Sequence, residues 1–326
     1  MKRKAIVTGG AGFIGSHLSR KLIENGWEVI VIDNLSTGFK ENIPKEAEFI
    51  ELDLSKDNFL RNLPAEGVDT IFHLAAQTSG EISYDDPVYD LKTNCLSTVL
   101  LSQWCIEKKV RKFVYTSSMS VYGDIADLPV SENIFPKPKS FYGIGKLASE
   151  HYLKVYGSKG LDYTALRLFN VYGPGQNLDN LRQGMVSIFM SFVAHNKEIT
   201  VKGSRDRFRD FVYIDDVINA LIAVVNDPKA SGEIYNIGTG KKTTVEELLE
   251  NIIEAFGHEI KTYPINYTKG TPGDQFGIYS DSSKINKKLG WGSKIELKEG
   301  IYKMADWAKK KLNDKNNFEE KNYDII

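Results

Sequence analysis

The sequence predicts an α/β protein, a doubly wound parallel sheet followed by a smaller C-terminal α/β lobe. Three observations carry that expectation. Short β-branched runs alternate with longer helical stretches through the first half of the 326 residues, a rhythm that builds parallel sheets covered on both faces. A glycine-rich turn joins the first run to the first helix. Beyond residue 169 the loops lengthen and the elements shorten, which marks the second lobe.

The strands read in order as 4–8 (KAIVT), 28–32 (EVIVI), 48–52, 70–74 and 112–117. Most are apolar throughout rather than alternating, as strands buried on both faces are. Helical patterns cover 17–25, 87–107 and 140–156. Together these define a first domain over 1–169. The second lobe covers 170–326, with a return to the first domain near 211–237 that includes a helix at 215–225. Long loops are expected at 173–182, 202–209 and 268–277, and the charged stretch 309–326 reads as a frayed helix end or loose tail.

Composition excludes several classes. With 41% hydrophobic and 26% charged residues the chain reads as soluble and globular. A formal net charge of −1 gives it no global attraction to nucleic acid or anionic membrane. Cys95 and Cys105 fall in one predicted helix, where they cannot bridge each other and serve as small packing residues. His17, His73, His151, His195 and His258 form no cluster, so no metal site is expected. The first apolar run is too short for a signal core, and runs such as 220–225 are far too short to cross a bilayer. A reducing, cytoplasmic setting is expected.

Chemistry concentrates in three places. Thr8-Gly9-Gly10-Ala11-Gly12-Phe13-Ile14-Gly15 follows a strand and opens a helix. Glycines at 9, 12 and 15 permit a tight turn, close approach of a pyrophosphate and close helix–strand packing. The second strand then ends in Asp33-Asn34, roughly 20 residues on, where a carboxylate holds a ribose diol and repels a 2′-phosphate. That favours NAD over NADP. Tyr142 and Lys146 share one helical face, and an ammonium beside a phenol should lower the phenol's pKa toward that of a general base. Such pairs also arise by chance among 16 tyrosines. The context that raises this one is the hydroxyl run 115–123 at the fifth strand's carboxyl end, where ligands of open α/β sheets bind. Thr116 and Ser120 of that run read as backbone caps.

The ordered set TGGAGFIG, DNLSTG, HLAA, TSSMSVYG, YGIGK, LRLFNVYGPG and RDFVYIDD resembles the extended short-chain dehydrogenase/reductase family. Within it the chain is most similar to nucleotide-sugar epimerases of the UDP-galactose 4-epimerase group, over about residues 5–307. The resemblance implies a Rossmann domain binding NAD and a 4-epimerisation of a UDP-hexose or its N-acetyl analogue through a transient 4-keto sugar. It implies Ser118, Tyr142 and Lys146 as catalytic residues. Gly9, Gly12, Phe13, Ile14 and Gly15 would line the pyrophosphate, Asp33 and Asn34 the adenosine ribose, and Asp53 and Leu54 the adenine. Leu74, Ala75, Ala76 and Gln77 would pass beneath the cofactor, with Asn94 near that strand end and Ser117 and Phe169 toward the nicotinamide. Substrate would meet Ser118, Asn170, Arg209, Asp274 and Ile278, the last where the family gates room for an acetamido group. The family also implies a homodimer through the helices at 87–107 and 140–156.

Rivals fare less well. A 4,6-dehydratase wants an Asp-Glu pair after the strand-end hydroxyl, and a decarboxylase a Glu; here Met119 and Ser120 stand there. Asp33 opposes an NADPH-dependent keto-reductase. A non-catalytic NAD-binding regulator would not need Ser118, Tyr142 and Lys146 together. Two departures stand out. Thr271 replaces an arginine of the family's diphosphate clamp, and Glu81 puts a carboxylate near the expected sugar.

Overall fold

The computed structural model describes residues 2–323 apart from 57, 65, 183 and 271–274, with backbone only from 313 onward. Its first six strands are β1 (Lys4–Thr8), β2 (Glu28–Asp33), β3 (Glu48–Glu51), β4 (Thr70–His73), β5 (Lys112–Ser118) and β6 (Tyr163–Leu168). The second half adds β7 (Asn170–Tyr172), β8 (Ile199–Lys202), β9 (Phe208–Arg209), β10 (Phe211–Tyr213), β11 (Glu233–Ile237), β12 (Thr243–Thr244) and β13 (Ile265–Thr268). The main sheet has seven parallel strands in the order β11-β6-β5-β4-β1-β2-β3. Strand order reverses between β1 and β4, which leaves a crevice beyond their carboxyl ends.

Residue alternation along the strands sets the two faces. Ala5, Val7, Val29 and Val31 join a core with Leu18 and Leu22 of α1 (Phe13–Glu24) on one side. Ile6, Ile30 and Ile32 join another with Leu101 and Trp104 on the opposite side. The helices there are α2 (Pro87–Leu91), α3 (Ser97–Glu107) and α4 (Phe141–Gly157). The single helix read over 87–107 is therefore divided, and a π-helical stretch, Lys92–Leu96, joins its parts.

The first core continues unbroken into the second lobe. It takes in Val186 and Phe189 of α5 (Met185–Ala194), Val217 and Leu221 of α6 (Ile214–Asn226), and Leu248 and Ile252 of α7 (Val245–Ala255). β11 pairs with β6, and α6 packs on α1, so this stretch of the second half belongs spatially to the main sheet. The remaining strands form three two-stranded pairs, β10 with β7, β12 with β9 and β13 with β8. The loop expected at 202–209 is bounded by β8 and β9. After α8 (Ser283–Leu289), α9 (Leu297–Tyr323) runs as continuous helical backbone through most of the charged tail.

Buried polar groups brace the sheet. His73 lies between Thr8 Oγ1 (2.8 Å) and Ser97 Oγ (3.2 Å), and burial holds its pKa down at about 3, so it is neutral. Asp210 accepts from Thr239, Gly240 and Ser280, including both hydroxyls at 2.6 Å, and so ties the β9–β10 joint to the ends of β11 and the 280s.

Candidate active site

The glycine turn closes because its residues lack side chains. Gly9 has φ +70°, and a Cβ on Gly15 would stand 2.2 Å from the Gly9 carbonyl oxygen. Helix α1 thus starts against the end of β1, and no side chain caps its amino terminus. The free N–H groups of its first turn face the crevice and favour an anion. Across the crevice, the Asp33 carboxylate accepts from Ala11 N at 3.0 Å and Leu35 N at 2.8 Å. Burial raises its pKa, and these two donors oppose the rise.

This crevice holds a cavity of about 410 Å³. Every residue expected at the cofactor lines it except Gln77 and Asn94. Those two sit beside it in a hydrogen-bonded group. Gln77 Nε2 donates to Ser79 O (2.8 Å) and Asp90 Oδ2 (2.9 Å), while Asn94 Nδ2 donates to Gln77 O (3.0 Å) and Asp90 Oδ2 (2.8 Å). The organising group is Asp90, a buried carboxylate on α2 that the sequence reading overlooked. Its signal was its place one helical turn before Asn94. The tight glycine turn, the uncapped start of α1 and the buried carboxylate opposite fit NAD.

At the other end of the cavity stand Ser118, Tyr142 and Lys146. The N-cap Ser140 accepts from Gly143 N (3.1 Å) and starts α4 there. A Cβ on Gly143 would lie 2.6 Å from Ser120 O, so glycine lets α4 press against the β5 end. Lys146 Nζ donates to Thr116 O at 2.9 Å and lies 5.8 Å from the centre of the Tyr142 ring. Ser118 Oγ donates to Ser120 Oγ at 3.2 Å.

The expected lowering of the Tyr142 pKa is not what the structure shows. Burial of the phenol end pushes it up to about 12, against the pull of its hydrogen bond with Ser118. Burial likewise pushes Lys146 down to about 8, opposed by Asp90 and Glu150. Desolvation outweighs the pairing, because the ammonium faces a carbonyl and not the phenol oxygen. Behind this end, Glu150 accepts from Ser117 Oγ (2.5 Å) and from Arg167 Nε (2.9 Å) and Nη2 (2.7 Å). This buried pair fixes the β5 end to α4 and β6.

A second cavity, of about 570 Å³, shares Gly80, Met119, Ser120, Asn170 and Met185 with the first. Lys139, Arg182, Lys202, Arg207 and Arg209 line it, and among the described residues Glu81 is the one carboxylate set against them. Phe189 and Phe192 of α5 supply an apolar wall. Arg209 is buried, and its guanidinium donates to Gln275 O (2.7 Å) and Phe276 O (3.2 Å). Asn170 Oδ1 is buried without a hydrogen-bond partner. Asp274 and Thr271 lie outside the described residues. Ile278 is fully buried with Val121, Tyr122, Val130 and Phe169 and lines neither cavity. The expectation that it gates the sugar is corrected, because its side chain is buried in that small core, between isolated bridges at Gly277 and Ser280.

Among the described residues no group of three His, Cys, Asp or Glu could hold a metal ion, and no helix is long and apolar enough to cross a membrane.

A dinucleotide crevice that ends on a tyrosine, and opens there into a second cavity, defines an NAD-dependent α/β enzyme. The chain belongs to the NAD dependent epimerase/dehydratase family, whose model matches residues 5–238. It is 39% identical over 306 residues to a Methanocaldococcus jannaschii protein provisionally named UDP-glucose 4-epimerase, covering 93% of this chain and 98% of that one. It is also similar to the crystal structure of UDP-glucose 4-epimerase from Thermotoga maritima with UDP-glucose. There the identity is 37% and the TM-score 0.90, over 95% of this chain and 99% of the other. The Thermus thermophilus UDP-glucose 4-epimerase complex with NAD matches at 35% identity and a TM-score of 0.85, over 94% and 98%.

Proposed function

We propose that this enzyme inverts C4 of a UDP-hexose. The observation that carries the reading is the meeting of the two cavities at Met119, Ser120 and Asn170, with Tyr142 on one side and buried guanidinium groups on the other. A sugar diphosphate laid across that wall puts its sugar at Tyr142 and its charge at the cations.

NAD, when bound, would accept and return hydride at C4. The glycine turn and α1 would hold its pyrophosphate, and Asp33 and Asn34 its ribose. Tyr142 Oη takes the proton of the C4 hydroxyl and returns it, with Ser118 relaying or orienting that hydroxyl. Lys146 would hold the cofactor ribose. Asn170 and Arg209 hold the diphosphate, and Asp274 the nucleotide ribose, so the 4-keto sugar turns over on an anchored tail. We read 1–169 as the cofactor unit and 170–326 as the substrate unit, with 211–237 rejoining the first.

Dehydration or decarboxylation would need a carboxylate beside Ser118. The turn Met119–Val121 offers only a thioether, a hydroxyl and an alkyl group. The homodimer reading is supported by exposed apolar side chains on both expected helices, Val88 and Leu91 on α2 and Ile144, Tyr152 and Val155 on α4.

The test is NMR of purified protein with UDP-glucose, UDP-galactose and their N-acetyl forms, without added NAD. Interconversion of one pair is expected, reduced by about 10²–10⁴-fold in Tyr142→Phe. No turnover of any pair, with NAD then supplied, contradicts the reading.

A further inference from the structure

Among the described residues, the one carboxylate lining the second cavity stands on the segment that forms the shared wall. Gly80 lines both cavities, and Glu81 follows it at the start of the turn Ile82–Tyr84. The Glu81 carboxylate meets Lys202 Nζ of β8 at 3.2 Å and Arg182 Nη2 at 4.0 Å. Arg182 Nη2 is shared with Asp85, at 2.7 Å. A loop of the first lobe thus occupies two cations contributed from the second. Pairs this exposed add little to stability. What they set is the charge pattern that an incoming sugar meets.

We propose that Glu81 makes the enzyme selective for an uncharged hexose, acting as an internal carboxylate that pairs with Lys202, faces Arg182 and repels a sugar bearing its own carboxylate. The proposal rests on the nucleotide-sugar reading above and names the sugar class. A hexose and a hexuronate differ only at C6, as hydroxymethyl or carboxylate. With C4 at Tyr142 and the diphosphate at the guanidinium groups, the ring must lie along the wall that includes Gly80. The next side chain is Glu81. A uronate there meets a like charge, and its natural partners, Lys202 and Arg182, are already engaged. Removing the Glu81 charge takes away the repulsion and frees Lys202, while Arg182 keeps its pair with Asp85.

Calorimetric titration of the cofactor-loaded protein with UDP-glucose and with UDP-glucuronate tests this in wild type, Glu81→Gln and Glu81→Asp. Wild type should prefer UDP-glucose by about tenfold or more, Glu81→Gln should narrow that ratio by about tenfold, and Glu81→Asp should keep it. A merely structural strap would move both affinities together and leave the ratio alone. A wild-type ratio near one, or a ratio unmoved by Glu81→Gln, overturns the proposal. Since the readout is binding, a protein that keeps the predicted ratios yet converts no neutral UDP-sugar contradicts the epimerase reading and leaves this selectivity standing.

Discussion

The two cavities meet at one wall and are built by opposite means. One end of the crevice at the reversal of strand order is made largely of backbone. There it offers a glycine turn, helix N–H groups and a carboxylate anchored by two amides, all within residues 9–35. The cationic cavity is made of side chains. Its charges come from Lys139, Arg182, Lys202, Arg207 and Arg209, set on separate loops and strands and brought together only by the fold. The first arrangement suits an invariant dinucleotide, and the second can be retuned one residue at a time.

That contrast can be broken by disabling one cavity alone. The largest effect is expected from Gly15→Ala. Its Cβ would press on the Gly9 carbonyl oxygen and Gly10 Cα, both rigid backbone. Copurifying NAD should be lost, and stability should fall by about 1–3 kcal/mol, as for overpacking. Affinity for UDP-glucose, read by calorimetry, should fall far less. Equal loss of both ligands would mean that the cavities are not separately built.

A smaller effect concerns Lys146. Its ordinary value of 10.5 is pushed to about 8 in the fold, first by burial. Between those values the unfolded chain binds more protons than the folded one, so stability rises with pH through that window. The burial cost is in full force below pH 8 and fades toward pH 10.5. In nucleotide-free protein, Lys146→Met should therefore raise the thermal midpoint at pH 7 and raise it less at pH 10. The gain at neutral pH is on the order of 1–2 kcal/mol, net of the lost hydrogen bond to Thr116 O. An equal shift at both pH values would show that Lys146 is not desolvated as described.

Local sequence made the crevice legible. The apolar runs, the spacing from Gly9 to Asp33, and the Tyr142–Lys146 pair all act over a turn or a strand, so their placement follows from periodicity. What escaped depends on contacts between distant segments. Asp90 reaches Gln77 only when α2 folds back toward the segment after β4, although its bond to Asn94 is local. The Tyr142 pKa was misjudged because charge spacing is visible in a helix while desolvation is not. The role of Ile278 came from the family resemblance, whereas its burial depends on bridges from Phe208 and Val130 across the lobe. The cavity cations other than Arg209 carried no motif, and Glu81 was noticed only because a carboxylate was unexpected there.

The central claim is that hydride leaves and returns to the same carbon within one closed site. It is tested by incubating the protein with UDP-glucose deuterated at C4, in ordinary water, and reading the UDP-galactose by NMR and mass spectrometry. The account predicts that the label stays at C4, with no deuterium lost to solvent. Loss of the label, or product whose sugar has gained solvent hydrogen at C4 or C5, would contradict it.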